Sequence, residues 1–258
     1  MKAKSHSAQS QLRVNQQNAH AVAVLINSGN RLMQQDEYAQ ALECFQSALN
    51  LLLAAKVTQD KRTAIAHYNL ARALAANNKP AAAREHYEAA IAIRPRFPEA
   101  HNNLGMMLND QGKFEDAIRH FKQVIASEPL VASAHYGLGV ACQNLGDPVT
   151  AAGCYERAIA LKPDFFASWV NLGLICYQIG NPEVAVHCYN EAIGLSPGNA
   201  ELYFQLGLAL MALQQFADAS RAFTKALDYE PNLKEAKDAL QEAMFFALNG
   251  TLSVEKSA

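Results

Sequence analysis

Apolar side chains in this chain recur at helical spacing, stop, and start again. Between Pro98 and Pro129, Leu104, Met107 and Leu108 share one face of a helix at three- and four-residue spacing. After a polar break, Ala117, Phe121 and Val124 do the same. Gly112 sits in the break, as do Gly146 and Gly180 further on, where a helix ends on a residue that tolerates positive φ. Pro80, Pro148 and Pro182 fit the first turn of a second helix, where a missing N–H costs nothing. The pattern predicts helix–turn–helix units.

The unit repeats every 34 residues. Leu104-Gly105 returns as Leu138-Gly139, Leu172-Gly173 and Leu206-Gly207, upstream as Leu70-Ala71, and more weakly as Ser28-Gly29. Small residues recur at Ala41, Ala83, Ala117, Ala151, Ala185 and Ala219. An aromatic follows each by four residues: Phe45, Tyr87, Phe121, Tyr155, Tyr189 and Phe223. Ala48, Ala90, Val124, Ala158, Ala192 and Ala226 come next, and Pro95, Pro129, Pro163, Pro197 and Pro231 close five of the units. Six units are expected over 22–233: a lengthened first at 22–63, then 64–97, 98–131, 132–165, 166–199 and 200–233. The extra eight residues of the first lie around Leu51–Arg62 and read as an extended second helix with a charged loop from Thr58 to Arg62. A capping helix is expected at 234–250, since a terminal repeat has no neighbour to cover it. A polar tail, partly disordered, is expected at 1–21 and a disordered tail at 251–258.

This register resembles the tetratricopeptide repeat family, and the resemblance covers residues 22 to 248. It implies an all-α fold, a right-handed α-solenoid (superhelix) of six units plus a cap, with the first helix of each unit lining a concave face. The run Phe-Pro-Glu-Ala-His-Asn-Asn-Leu-Gly from Phe97 to Gly105 is also similar to the repeat arm of O-linked N-acetylglucosamine transferases. No glycosyltransferase domain is expected after the cap.

The resemblance also places a peptide-binding groove. The family's asparagine ladder, which grips a peptide backbone, falls on Asn69, Asn103 and Asn171, is broken by Gly137, and becomes Gln205 in the last unit. A side-chain amide offers donor and acceptor together. Beside the ladder, Tyr136, Val140, Val170 and Leu174 begin an apolar strip that Tyr177, Phe204, Leu208 and Met211 continue. Units two and three present Tyr68, Arg72, Asn102, Asn109 and Asp110 instead, so the groove is expected to be polar first and apolar later. Co-chaperones of the family clamp a partner's C-terminal carboxylate with Lys and Arg. The matching positions here hold Ile26, Asn30, Asn69, Glu99 and Asn103, so that ligand is not expected.

Composition narrows the classes. The chain is 50% hydrophobic and 18% charged, enough to bury a core. A net charge of −2 leaves no basic excess for nucleic acid. Neither a signal peptide nor a membrane span is legible. The odd count of cysteines, with no CxxC, suits a reducing compartment, and a cytoplasmic location is expected. Cys142/Cys154 and Cys176/Cys188 share a spacing of twelve, but facing helices usually lie too far apart for a disulfide, so buried thiols are expected.

No catalytic constellation is legible. His67, His101 and His135 are equivalent positions filled by Trp169 and Tyr203 in later units, two helices apart and too distant to share a metal ion. His86 and His120 repeat with the same period. His187 and Cys188 are adjacent on a helix and diverge. Neither GxSxG nor HExxH occurs. The expectation is a non-enzymatic protein-interaction scaffold or adaptor with no cofactor or metal, binding a peptide or amphipathic helix of another protein. The alternatives are a chaperone-like accessory factor for secretion, pilus or envelope assembly, and a non-catalytic subunit of a separately encoded enzyme. Met244-Phe245-Phe246 is more apolar than a solvated cap needs, which points to self-association or a partner at that tip.

Overall fold

A computed structural model describes the backbone from Lys2 to Glu255 and the side chains from residue 17 to residue 248. Among the described residues there are thirteen α-helices and no strand. The chain divides into two compact units, Met1–Pro129 and Leu130–Ala258.

The first unit holds α1 (Lys2–Gln34), α2 (Tyr38–Ala54), α3 (Lys61–Ala76), α4 (Pro80–Ile93), α5 (Pro98–Asp110) and α6 (Phe114–Ser127). The second holds α7 (Ala132–Asn144), α8 (Pro148–Leu161), α9 (Phe166–Gln178), α10 (Pro182–Leu195), α11 (Ala200–Ala212), α12 (Phe216–Tyr229) and α13 (Lys234–Glu255). Within each unit every helix packs on the next one in sequence. Paired as α1/α2 through α11/α12, they form repeats one to six, with α13 against α12. Helix α1 takes in most of the segment set apart above as an N-terminal tail. Helix α13 likewise runs on through residues 251–255 of the expected C-terminal tail, and residues 256–258 lie outside the described residues.

Five of the six hairpins close on a glycine set against a ring. A Cβ added at Gly105 would lie 2.8 Å from Phe121 Cε1, at Gly139 2.7 Å from Tyr155, and at Gly173 2.8 Å from Tyr189. Real Cβ atoms do not approach that closely, so the ring occupies the place of the missing side chain. The weak Ser28-Gly29 match obeys the same rule, since a Cβ on Gly29 would lie 2.6 Å from Phe45. Repeat two carries Ala71 instead, fully buried beside Tyr87. All six aromatics of the register are at most 2% exposed, and the alanines four residues before them are fully buried. The core is therefore this column, rebuilt once per repeat.

The turns follow the chain's punctuation. Pro80, Pro98, Pro148 and Pro182 open α4, α5, α8 and α10. Gly112, Gly146 and Gly180 stand just past their helices with φ of 71°, 78° and 80°. The N–H of the residue after each reaches back to the helix, as Lys113 does to the Leu108 carbonyl at 2.8 Å. The same turn is made at Asn78 (φ 55°) and Gln214 (φ 59°), which have no glycine to ease it. The extra length of repeat one is shared: α2 has 17 residues against 14 in α4, and α3 has 16 against 13 in α5. The charged loop expected to reach Arg62 stops at Asp60, which caps α3 by accepting from the Arg62 N–H at 2.8 Å. The carboxylate supplies one of the donors' missing partners, so Lys61 and Arg62 join the helix.

A glutamine in the left-handed region is strained by about 1 kcal/mol relative to glycine. Gln214→Gly is expected to raise stability by roughly that amount in denaturant melts, and an unchanged midpoint would contradict the strain.

Candidate functional site

The candidate positions divide between the two units. In the first, Tyr68, Asn69 and Arg72 lie on α3, and Asn102 and Asn103 on α5. Asn69 is only 4% exposed, so it is part of the packing rather than an open rung. The Arg72 guanidinium lies 3.4 Å from the Asn69 side-chain oxygen and 5.7 Å from the centre of the Tyr68 ring. Tyr68 in turn packs on Tyr87 and Phe97. The Asn103 amide nitrogen is 3.4 Å from both the Tyr68 and the Tyr87 hydroxyls. Asn103, Met106, Asp110 and Tyr87 line an open pocket of about 440 Å³ beside the turn at Asn78 and Pro80. Asn109, expected on this face, is buried.

In the second unit, Tyr136 and Val140 lie on α7, Val170, Asn171, Leu174 and Tyr177 on α9, and Phe204, Gln205, Leu208 and Met211 on α11. All are half-buried. Tyr136 rests on Tyr155 and Phe165, and Phe204 on Phe223, so one side of each ring is already used by the hairpin. The strip therefore has an inner edge joined to the core and an outer edge in solvent.

The asparagines have a structural task that the ladder pattern did not reveal. Asn171 donates to the Tyr155 hydroxyl at 3.3 Å, as Asn103 does to Tyr87. Each tyrosine precedes its asparagine by sixteen residues, on the second helix of the previous repeat, and that spacing was the available signal. Tyr155 also donates to the Gln143 side-chain oxygen at 2.7 Å. Tyr189 is the exception. It is fully buried, and its hydroxyl has no hydrogen-bond partner. Leaving a buried hydroxyl unpaired costs about 1–3 kcal/mol. Gln205, at the next ladder position, donates instead to the Glu201 carboxylate at 2.6 Å. Burial pushes the Tyr87 hydroxyl up to about 12 and raises Tyr155 and Tyr189 too, so all three keep their protons.

Histidines treated as separate positions in the sequence meet in pairs across the hairpins. His67 and His86 approach Nδ1 to Nδ1 at 2.9 Å, His101 and His120 at 2.8 Å. Each pair spans nineteen residues, from the first helix to the second, a relation hidden by comparing only equivalent helices. His101 Nε2 lies 3.0 Å from the Pro95 carbonyl, which only accepts, so Nε2 carries the proton. In the neutral pair His101 Nδ1 is then the acceptor and His120 Nδ1 the donor. Trp169 does the corresponding job in repeat five, donating from Nε1 to the Pro163 carbonyl at 2.8 Å. His101 thus stands in for a tryptophan, and its second nitrogen is satisfied by His120.

All five cysteines carry free thiols. Burial, then the neighbouring Cys142, pushes Cys154 up to about 11. Burial, then Cys176, pushes Cys188 up to about 12. Among the described residues no group of three or more His, Cys, Asp or Glu is gathered closely enough to hold a metal ion. No helix there is long and apolar enough to cross a membrane.

Known proteins agree with this architecture. Family models described as tetratricopeptide repeat match residues 20–96, 98–129, 132–165 and 200–233, and one described as TPR repeat matches 173–214. No protein of curated function matches. Among solved structures, MamA is 27% identical, with 65% of this chain and 97% of that one covered, at a TM-score of 0.59. PilF of Pseudomonas aeruginosa is 18% identical, covering 87% of this chain and 99% of that one, with a TM-score of 0.74. YrrB, described as a TPR protein with an unusual peptide-binding site, is 20% identical over 78% of this chain and 99% of that one, with a TM-score of 0.67. At such identities PilF and YrrB show likeness of fold alone.

Burial, then His101 and Arg119, pulls His120 from its ordinary 6.5 down to about 4. Burial lowers His67 and His86 as well. The unfolded chain therefore binds protons more readily than the folded one between those two values. Stability is expected to be full above pH 6.5 and to fall as the pH drops towards 4. Melting temperatures across that range check this. His120→Gln is expected to flatten the decline, and an equal decline would remove His120 as its source.

Proposed function

This chain belongs to the tetratricopeptide repeat family, and on that footing we propose that it is a non-enzymatic scaffold or adaptor. It holds a segment of a partner protein against the first helices of repeats four to six. The observation that carries this reading is the half-buried apolar strip on α9 and α11, with Val170 and Leu174 on one helix and Phe204 and Leu208 on the other. An apolar surface of that kind suits a partner's segment better than water. The first unit offers amides, a guanidinium and tyrosine hydroxyls instead, and suits polar contacts. YrrB supplies a precedent for peptide binding by this fold.

The non-enzymatic reading rests on the chemistry available. The buried thiols are pushed away from the reactive thiolate, His67 and His86 face each other, and His101 is spent on His120 and on the Pro95 carbonyl. Free thiols and the absence of a basic excess favour a cytoplasmic protein whose partners are proteins rather than nucleic acid. The cap is a second contact surface in this reading. Phe246 stacks on Phe216 at 5.1 Å, while Phe245 is 61% exposed.

Pull-downs with wild type and Leu174→Glu test the apolar face. The charged variant is expected to lose the specific partner, and recovery of the same proteins by both would place the site elsewhere. Light scattering tests the cap: self-association there predicts a larger mass that Phe245→Glu reduces, and a wild-type monomer excludes it.

A further inference from the structure

We infer that the Tyr189 hydroxyl is the hydrogen-bond anchor of the apolar face, donating to a backbone carbonyl of an extended partner segment lying along α9 and α11. This rests on the binding face proposed above and names what that face selects.

The argument begins with two tyrosines in the same seat. Tyr155 packs against Gly139 and Tyr189 against Gly173, with built Cβ distances of 2.7 and 2.8 Å, so both rings enter their hairpins alike. Around Tyr155 the hydroxyl is fully served, donating to Gln143 and accepting from Asn171. The residues 34 positions further on, which should serve Tyr189, are Tyr177 and Gln205. Gln205 is one methylene longer than asparagine and turns to Glu201 on the surface. Both services are lost together, and the hydroxyl is left buried and unpaired. Buried polar groups are otherwise almost always paired, so an orphan calls for a missing partner.

The Tyr155 hydroxyl meets Gln143 on α7 and Asn171 on α9, and the shared seat aims the Tyr189 hydroxyl at the matching positions on α9 and α11. By that register Gln205, half-buried and bonded to the Glu201 carboxylate, holds the position from which Asn171 reaches Tyr155. Turning that side chain aside opens the hydroxyl to the face.

The chemistry of the anchor selects the occupant. Tyr189 keeps its proton, so it offers a donor and seeks an acceptor. A helical segment has spent its backbone carbonyls on its own N–H groups. An extended segment has not, and its alternate side chains project to one side, where Val170, Leu174, Phe204 and Leu208 can receive them. The favoured partner is thus an extended, largely apolar stretch whose carbonyl meets the unpaired Tyr189 hydroxyl.

The test begins with stability. Tyr155→Phe should lower the melting temperature, because it strips partners from Gln143 and Asn171. Tyr189→Phe should not lower it, because it removes an unpaired group. Gln205→Asn should raise it, restoring the asparagine that serves the other tyrosines. Affinity is then read with a fluorescein-labelled peptide selected on the wild-type protein from a random library. Tyr189→Phe and Gln205→Asn should each weaken it about fivefold, one by deleting the donor and the other by occupying it. Single proline substitutions along the peptide should be tolerated at several positions, as an extended chain allows and a helix does not. The anchor is overturned if Tyr189→Phe destabilises as Tyr155→Phe does, if neither variant changes the affinity, or if the peptide binds as a helix. Leu174→Glu separates the two ideas. Loss of binding there with unchanged affinity in Tyr189→Phe removes only the anchor, while no loss there removes the face itself.

Discussion

The architecture depends on how closely the two helices of a repeat approach each other. At Gly29, Gly105, Gly139 and Gly173 the facing aromatic ring stands where a Cβ would be. That contact sets the helix separation, and the fully buried alanines on the second helix are small because of it. Each repeat then offers its neighbour a surface of the same shape, which is why one short register can be stacked many times. Repeat two, with Ala71, shows that the rule bends by one methyl without breaking.

Filling the hairpin with tyrosine rather than phenylalanine has a polar consequence. The ring carries a hydroxyl into the interior, and the first helix of the following repeat must supply its partner. Asn103 and Asn171 do so for Tyr87 and Tyr155. The ladder positions are therefore committed first to joining one repeat to the next, and only what remains of each amide is available to a ligand. Where the arrangement lapses, at Tyr189 and Gln205, the interior keeps a donor with nothing to give it to. A functional site on a regular scaffold is expected where the regularity is broken at a cost to the fold.

The histidines show the same economy of parts. Position 101 needs a large side chain that donates to the carbonyl of the closing proline, as Trp169 does. Histidine meets both needs but brings a second nitrogen, and His120 from the opposite helix satisfies it. A pattern that resembles a metal or proton-relay series along the chain is thus a packing solution used in two consecutive repeats. Its cost is a proton balance that favours the neutral pair.

The sequence by itself determined the repeat, its length, the helix pairs, the turn residues and the buried column. These depend on local spacing and on residue size, and both are written along the chain. It also separated polar from apolar candidate positions, since that division is one of composition. Pairings between residues sixteen and nineteen apart were decided only by the tertiary structure. They depend on which face of one helix meets which face of another, and on the direction in which a side chain leaves the backbone. Asn69 looked like an open rung and is buried, His67 and His86 looked independent and touch, and Gln205 looked like a substitute for asparagine and bonds to Glu201 instead. The unpaired hydroxyl of Tyr189 belongs with these, because the absence of a partner becomes visible only when every neighbour is in place.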